Sequence, residues 1–407
     1  GVVSSGAGLE QLLGLYNQGR LEEALKLGIS LSQQHPNDAK LFNATAAIYA
    51  TTGDIDSAQT IFKKSIEIAP DFPNTYYNMG VAFSKSMAHQ DVSLRSYIRS
   101  LILKPQYHES YNSIGTNLAN TSKYSAAIKS FKKAIQTKTD YHQAHNNLGK
   151  AFNQSSKYNE AIASFEKTIE IAPDNSEAHF NLGSLFLKQK LSKKSMYHSR
   201  MAIISVPNNP MSYFNFANAY FELENLGISR TGYHRITFLA PGFSPAYSNL
   251  GTVLAKMGKH DLALRSFKKA IILNPFEPDL YNNLGISLNA LGAFTAARTL
   301  FEMAIYLNVR HEDAYYNLGV ALGNIDQQEN SIGYYKRSIL LQPFKVEALF
   351  NLGNKMRPQD GHMTAITLYR RAIAIKPNWT DVWYNLATCL NEVAEYDRAI
   401  ECFDEVL

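Results

Sequence analysis

The chain has 407 residues, 45% of them hydrophobic and 18% charged, a balance that excludes wholesale disorder. Its two cysteines, Cys389 and Cys402, exclude a disulfide framework and a multi-cysteine metal cluster. The net charge of +5 is weak support for a polyanionic partner at this size, and no apolar run reaches the roughly eighteen residues of a membrane-spanning helix.

Read from the front, residues 1–8 (GVVSSGAG) form a flexible lead-in. Beyond them one tripeptide recurs: Asn78-Met79-Gly80, Asn147-Leu148-Gly149, Asn181-Leu182-Gly183, Asn249-Leu250-Gly251, Asn283-Leu284-Gly285, Asn317-Leu318-Gly319 and Asn351-Leu352-Gly353. Degenerate copies stand at Ser113-Ile114-Gly115, Asn215-Phe216-Ala217 and Asn385-Leu386-Ala387, and from Gly115 to Ala387 the step is always 34 residues. Such a fixed period marks a repeat array rather than two or three compact domains.

Other positions keep the same period. After Gly149 come Phe152, Tyr158, Ala161, Phe165 and Pro173; after Gly251 come Leu254, Gly258, Ala263, Phe267, Ala270 and Pro275. Apolar residues at i, i+3 and i+4 in each half predict helix, short turn, helix, then a turn marked by proline. Small residues let two helices approach closely, and Phe165, Phe267 and Phe301 fill the wedge between repeats. The pattern predicts twelve units, starting near Gly8, Asn43, Pro73, His108, Asp140, Asp174, Pro210, Ser244, Pro278, Glu312, Val346 and Thr380.

The aromatic, Leu-Gly, Ala, Phe, Ala and Pro positions together resemble the tetratricopeptide repeat (TPR) family over residues 9–407. The resemblance implies an all-α fold, a right-handed superhelix of about twelve helix-turn-helix repeats, with first helices lining a concave groove and second helices facing outward.

Several units depart from the pattern. The third holds one extra residue near Met87-Ala88-His89-Gln90, and the sixth and seventh put Ser195, Ser199 and Ser229 where Ala or an aromatic is expected. In the eleventh, Pro358 followed by Asp360-Gly361 should end the first helix early. The twelfth runs to Val406-Leu407 inside its second helix, which reads as a fragment, or as an end covered by another domain, a partner or a second copy.

An asparagine precedes most of the tripeptide glycines and alanines by two residues: Asn78, Asn147, Asn181, Asn215, Asn249, Asn283, Asn317, Asn351 and Asn385. An amide offers two donors and an acceptor, so one per repeat along a groove can hold the backbone of an extended peptide. This arrangement resembles the asparagine ladder of O-linked N-acetylglucosamine transferase. The opposing reading is that each amide bonds the neighbouring repeat and only stiffens the array. Tyr77, Phe180, Phe214, Tyr316, Phe350 and Tyr384 are expected to wall the groove. Tyr76, Tyr281, Tyr315 and Trp383 are expected in the core, with His145 and His179 in the same slot. Glu109, Glu177, Asp279, Asp313, Glu347 and Asp381 either select a basic ligand or decorate first turns.

Basic pairs recur in the second helices at Lys63-Lys64, Lys132-Lys133, Lys268-Lys269, Lys336-Arg337 and Arg370-Arg371. Their place on the outer face fits a solvated surface, and nucleic acid is disfavoured. No phosphate-binding glycine loop, zinc-protease helix, nucleophile elbow or paired-cysteine motif occurs, so the chain is read as a non-enzyme with no cofactor and no metal ligands. The sequence thus predicts an interaction scaffold that clasps extended protein segments. The alternatives are the substrate-recruiting arm of a larger glycosyl-, sulfo- or methyltransferase, and a structural element that self-assembles through its uncapped last repeat. Compartment stays open, with a soluble, cytoplasmic protein favoured.

Overall fold

A computed structural model describes residues 5–84, 89–325, 328–357 and 361–406. Among these described residues are twenty-four α-helices in twelve hairpins, and they fall into two compact units, Gly1–Pro207 and Asn208–Leu407. The sequence alone suggested one continuous run over 9–407.

Unit 1 holds six hairpins: α1 (Ser5–Asn17) with α2 (Leu21–Gln34), α3 (Ala39–Thr52) with α4 (Ile55–Ile68), α5 (Pro73–Ser84) with α6 (Gln90–Leu103), α7 (His108–Asn120) with α8 (Tyr124–Thr137), α9 (His142–Gln154) with α10 (Tyr158–Ile171), and α11 (Ser176–Lys188) with α12 (Ser192–Ser205). Unit 2 repeats the plan: α13 (Pro210–Glu222) with α14 (Leu226–Leu239), α15 (Ser244–Lys256) with α16 (His260–Leu273), α17 (Pro278–Ala290) with α18 (Phe294–Leu307), α19 (Glu312–Asn324) with α20 (Gln328–Leu341), α21 (Val346–Met356) with α22 (His362–Ile375), and α23 (Thr380–Glu392) with α24 (Tyr396–Asp404). Within each unit, consecutive hairpins stack as an all-α solenoid.

The lead-in is shorter than expected. Ser5–Gly8 already belong to α1, because Gly8 packs on Leu31 and the Ser5 hydroxyl donates to the Asp38 carboxylate. The predicted insertion at Met87-Ala88 and the helix break at Pro358 and Asp360 lie outside the described residues, as do residues 1–4 and Leu407.

Two local devices recur in the hairpins among the described residues. The first is a left-handed residue in the intra-repeat turn, at Ser122, Ser156, Lys190, Glu224, Gly258 and Gly292, each 34 residues from the next and each with φ between 58° and 77°. The following amide reaches back to close the helix, as in Lys259 N to Leu254 O at 2.8 Å. The second is the seat for the second helix. A Cβ added at Gly149, Gly251 or Gly285 would lie 2.6–2.7 Å from the rings of Phe165, Phe267 and Phe301. Only a residue without a side chain lets those rings lie flat on the first helix, which is why the motif ends in Gly.

The serines that break the pattern keep the packing. Ser195 and Ser229 stand where Ala161 and Ala263 stand in other repeats, and all four are fully buried. Each hydroxyl donates to a first-helix carbonyl, Ser195 to Gly183 O at 2.8 Å and Ser229 to Ala217 O at 2.9 Å; Ser93 and Ser331 do the same to Gly80 and Gly319. Ser199 takes the place of the missing aromatic and fills the space beside Gly183.

Candidate functional site

All nine ladder asparagines lie on first helices, from Asn78 on α5 to Asn385 on α23. Asn215 is buried and the other eight are half-buried. Six donate Nδ2 to the first helix of the preceding repeat. Asn78 reaches Asn43 Oδ1 at 3.1 Å, Asn147 reaches Asn112 Oδ1 at 3.0 Å and Asn317 reaches Asn282 Oδ1 at 2.9 Å. Asn351 reaches the Tyr316 hydroxyl at 3.2 Å. Asn249 and Asn385 choose an acceptor one helical turn further along, Asn218 Oδ1 at 3.3 Å and Asn354 Oδ1 at 3.0 Å. The inter-repeat bond is therefore real and engages one N–H of each amide, and Asn249 Nδ2 also donates to the Tyr233 hydroxyl at 3.3 Å. The second N–H and the carbonyl oxygen of these amides stand outside that bond.

Asn181 behaves differently. Its Nδ2 is buried and meets no hydrogen-bond acceptor. The amide lines a concavity of about 310 Å³ on unit 1, together with Asn120, Asn147, Lys150, Asn153 and Gln154. A second concavity of about 490 Å³ on the same unit is lined by Leu9, Leu13, Tyr16, Asn43, Ile48 and Asn78, among others. Asn283 is half-buried on α17, at the equivalent place in unit 2.

Of the six aromatics expected along the groove, five pack on second helices, and Tyr384 among them is 55% exposed. Tyr77, Phe214, Tyr316, Phe350 and Tyr384 turn toward their own second helices, with ring centroids 5.9–6.2 Å from Tyr97, Tyr233, Tyr335, Tyr369 and Phe403. Three also meet an aromatic ahead of the next first helix: Tyr77 with Tyr107, Phe214 with Phe243 and Phe350 with Trp379. These rings hold repeats together. The supposed core aromatics are half-buried clasps instead. Tyr76, Tyr281 and Trp383 donate to the carbonyls of Pro70, Pro275 and Pro377, six residues back in the preceding turn. His145 and His179 use the same slot, bonding Thr139 O and Pro173 O at 3.0 Å.

Several first-turn acids bridge repeats. Glu177 accepts from Asn146 at 2.5 Å and from Lys150 at 2.9 Å. Asp279 faces His311 at 3.1 Å, and Asp313 pairs with Lys345. The basic pairs are exposed at every one of the five positions.

Two clusters escaped the sequence. His179 Nδ1 lies 3.0 Å from His198 Nδ1, and burial, then the charges of His179 and Lys194, lower the His198 pKa to about 4. On unit 2, ligand atoms of His362, Cys389 and Glu392 lie within 4.8 Å of one another. The Arg357 guanidinium already binds both Glu392 oxygens, and burial pushes the Cys389 thiol up to about 11. The inter-repeat acceptors were half-legible: Asn282 stands directly before a ladder asparagine in an Asn-Asn doublet, and Asn112 directly before Ser113.

Consecutive helical hairpins, most with a small first-helix residue under a second-helix ring, define a helical-repeat interaction scaffold. Tetratricopeptide repeat models match residues 39–72, 108–141, 244–276, 279–311, 312–345 and 380–407, and a TPR repeat model matches 149–190. Together these matches span more than half of the chain, which belongs to the tetratricopeptide repeat family. That fold is typically a non-catalytic scaffold for protein partners. Among solved structures, the crystal structure of the APC/C hetero-tetramer Cut9-Hcn1 shares the fold, with a TM-score of 0.51 and 16% identity over 100% of this chain and 93% of that one. The crystal structure of MamA protein is 25% identical over 40% of this chain and 90% of its own, with a TM-score of 0.37. No curated protein matches the chain. No helix among the described residues is long and apolar enough to cross a membrane.

Proposed function

We propose that the first-helix asparagines hold the backbone of extended peptide segments of partner proteins. One observation carries the reading: Asn181 Nδ2 is buried without an acceptor beside a concavity that Asn147 also lines. A buried donor left unpaired costs about 1–3 kcal/mol, and a peptide carbonyl is an acceptor that would recover it. The inter-repeat bonds fit this role as well, because an amide fixed by one N–H presents its remaining groups in a set direction. Backbone contacts make the site tolerant of sequence, while the surrounding Lys150, Asn153 and Gln154 supply polar selection.

The test is Asn147→Ala with Asn181→Ala in the full chain, probed against an array of unstructured peptides. Wild type should retain a subset of peptides and the double variant should lose them. Asn147→Ala removes the bond to Asn112 and should lower stability by about 1 kcal/mol, whereas Asn181→Ala should cost little because its Nδ2 bonds nothing in the fold, so the double variant should stay folded. Undiminished peptide capture by a folded double variant would contradict the proposal.

A further inference from the structure

One register position of the second helices changes character along the chain. In unit 1 it holds Gln33, Glu67, Ile102, Gln136, Glu170 and Ile204; in unit 2 it holds four large apolar residues, Phe238, Ile272, Tyr306 and Leu340, 34 residues apart, followed by Ala374 on α22. The four unit 2 side chains are 68–80% exposed. Phe276 and Phe344, four residues beyond Ile272 and Leu340, stand out equally far. Glu67 and Glu170 show that the helix accepts a charge here, so folding does not require an apolar residue at the position. Equivalent positions of stacked repeats lie side by side, and the four make an exposed apolar ridge along unit 2.

The ridge has a basic flank. Residues three and four positions back share its helix face, and they are His234 and Arg235, Lys268 and Lys269, and Lys336 and Arg337. Only α18 differs, with Glu302, which Arg298 pairs at 2.8 Å, and the exposed Met303. Across α14, α16, α18, α20 and α22 ten Lys and Arg stand against three acids, Asp261, Glu302 and Glu329. Asp261 and Glu329 sit in first turns, at the opposite helix end from the ridge. In the turn, Phe276 adjoins one acid, Glu277, while in the first turns of α17 and α19 Asp279 faces His311 and Asp313 pairs with Lys345.

We propose that this edge of unit 2 docks on an anionic lipid surface. Protruding apolar side chains with most of their surface in water have no walls to grip a partner helix, which needs a groove. A bilayer interface needs none: the side chains enter the acyl boundary while Lys and Arg meet lipid phosphates. A second copy would bring basic flank against basic flank, which repels. The inference concerns second helices and stands apart from the ladder on the first.

The experiment is co-sedimentation of the full chain with vesicles of phosphatidylcholine alone or mixed with phosphatidylserine. Wild type should pellet with the mixed vesicles and not with the neutral ones, and added salt should release it. The ridge variant Ile272→Glu, Tyr306→Glu and Leu340→Glu places at three positions the residue that Glu67 and Glu170 already carry, so its helices should form. The flank variant Lys268→Gln, Lys269→Gln, Lys336→Gln and Arg337→Gln leaves the ridge intact. Each should weaken vesicle binding about tenfold or more. Wild type left in the supernatant with anionic vesicles overturns the proposal, as does a folded ridge variant that pellets like wild type. Absence of vesicle binding, with self-association or capture of an acidic amphipathic peptide that the ridge variant abolishes, assigns the edge to a protein instead.

Discussion

Gly285 lies under the Phe301 ring, where an added Cβ would come within 2.6 Å of Cε1. The ring is fully buried and cannot retreat without disturbing its neighbours. Gly285→Ala should therefore destabilise the protein by about 1–3 kcal/mol, although Ala is the better helix former. Adding Phe301→Leu opens the space, so in a double-mutant cycle the two costs should fall short of additive. Thermal melting of the four species reads this directly; simple additivity would mean that the contact is relieved elsewhere. At the ladder positions a residue does two jobs. Asn317 uses one N–H to reach Asn282, so Asn317→Ala should lower stability by about 1 kcal/mol as well as weaken any groove ligand. Asn181→Ala, by contrast, should leave the melting temperature almost unchanged.

Between the helices of a hairpin, the left-handed turn residue carries strain wherever it has a side chain. Ser156, Lys190 and Glu224 occupy φ of 58°, the region that disfavours L-residues by about 1–2 kcal/mol. Lys190→Gly should stabilise by about 0.5–1 kcal/mol after the greater flexibility of the unfolded chain is discounted. Gly292→Ala should cost about as much, and urea denaturation resolves both. A different control links α11 and α12. His198 has its pKa lowered to about 4 because burial and the nearby His179 and Lys194 disfavour its charged form. Above the ordinary value of 6.5 both folded and unfolded forms are neutral, so the group contributes no pH dependence there. Between 6.5 and about 4 the unfolded chain takes a proton that the folded chain refuses, and stability should fall as the pH falls. His198→Phe keeps a ring beside Phe186 and should flatten the melting temperature across that window; an unaltered slope would place the titration elsewhere.

A repeat array has no single core, and each unit holds several clusters shared by a few neighbouring helices. Stability is then a sum of local terms rather than one cooperative quantity. Both tryptophans, Trp379 and Trp383, lie in the turn after α22 and at the start of α23, so their fluorescence reports that neighbourhood while far-UV circular dichroism reports all helices. The two transitions in urea should not coincide. Coincident midpoints and slopes would show cooperativity across the whole chain.

Much of this architecture is written in the 34-residue period, because a repeated packing problem receives repeated residues. The Gly, Phe and proline positions recur at fixed offsets and are legible without coordinates, whereas the left-handed turn falls on Ser122, Ser156, Lys190 and Glu224, residue types that do not announce it. The partners of the ladder are less so. Asn147 bonds a residue 35 positions back and Asn249 one 31 back, and that one-turn choice depends on rotamers, not on composition. The Arg357–Glu392 pair and the His179–His198 contact join separate helices without any spacing signature. Aromatics beside the ladder misled for a related reason: adjacent residues on a helix point about 100° apart, and Tyr77 or Phe350 packs inward where Asn78 or Asn351 bridges repeats.

Under the proposed function, first-helix amides read a peptide's backbone rather than its side chains. The most direct measurement takes one peptide retained by the full chain and compares it with two analogues, one with scrambled side chains and one with successive backbone amides replaced by esters. An ester removes a donor and weakens an acceptor while keeping the side chains. Scrambling should change affinity little, whereas each ester in the bound segment should weaken binding by roughly 1 kcal/mol. Ester analogues that bind as well as the parent, with affinity lost on scrambling, would contradict it.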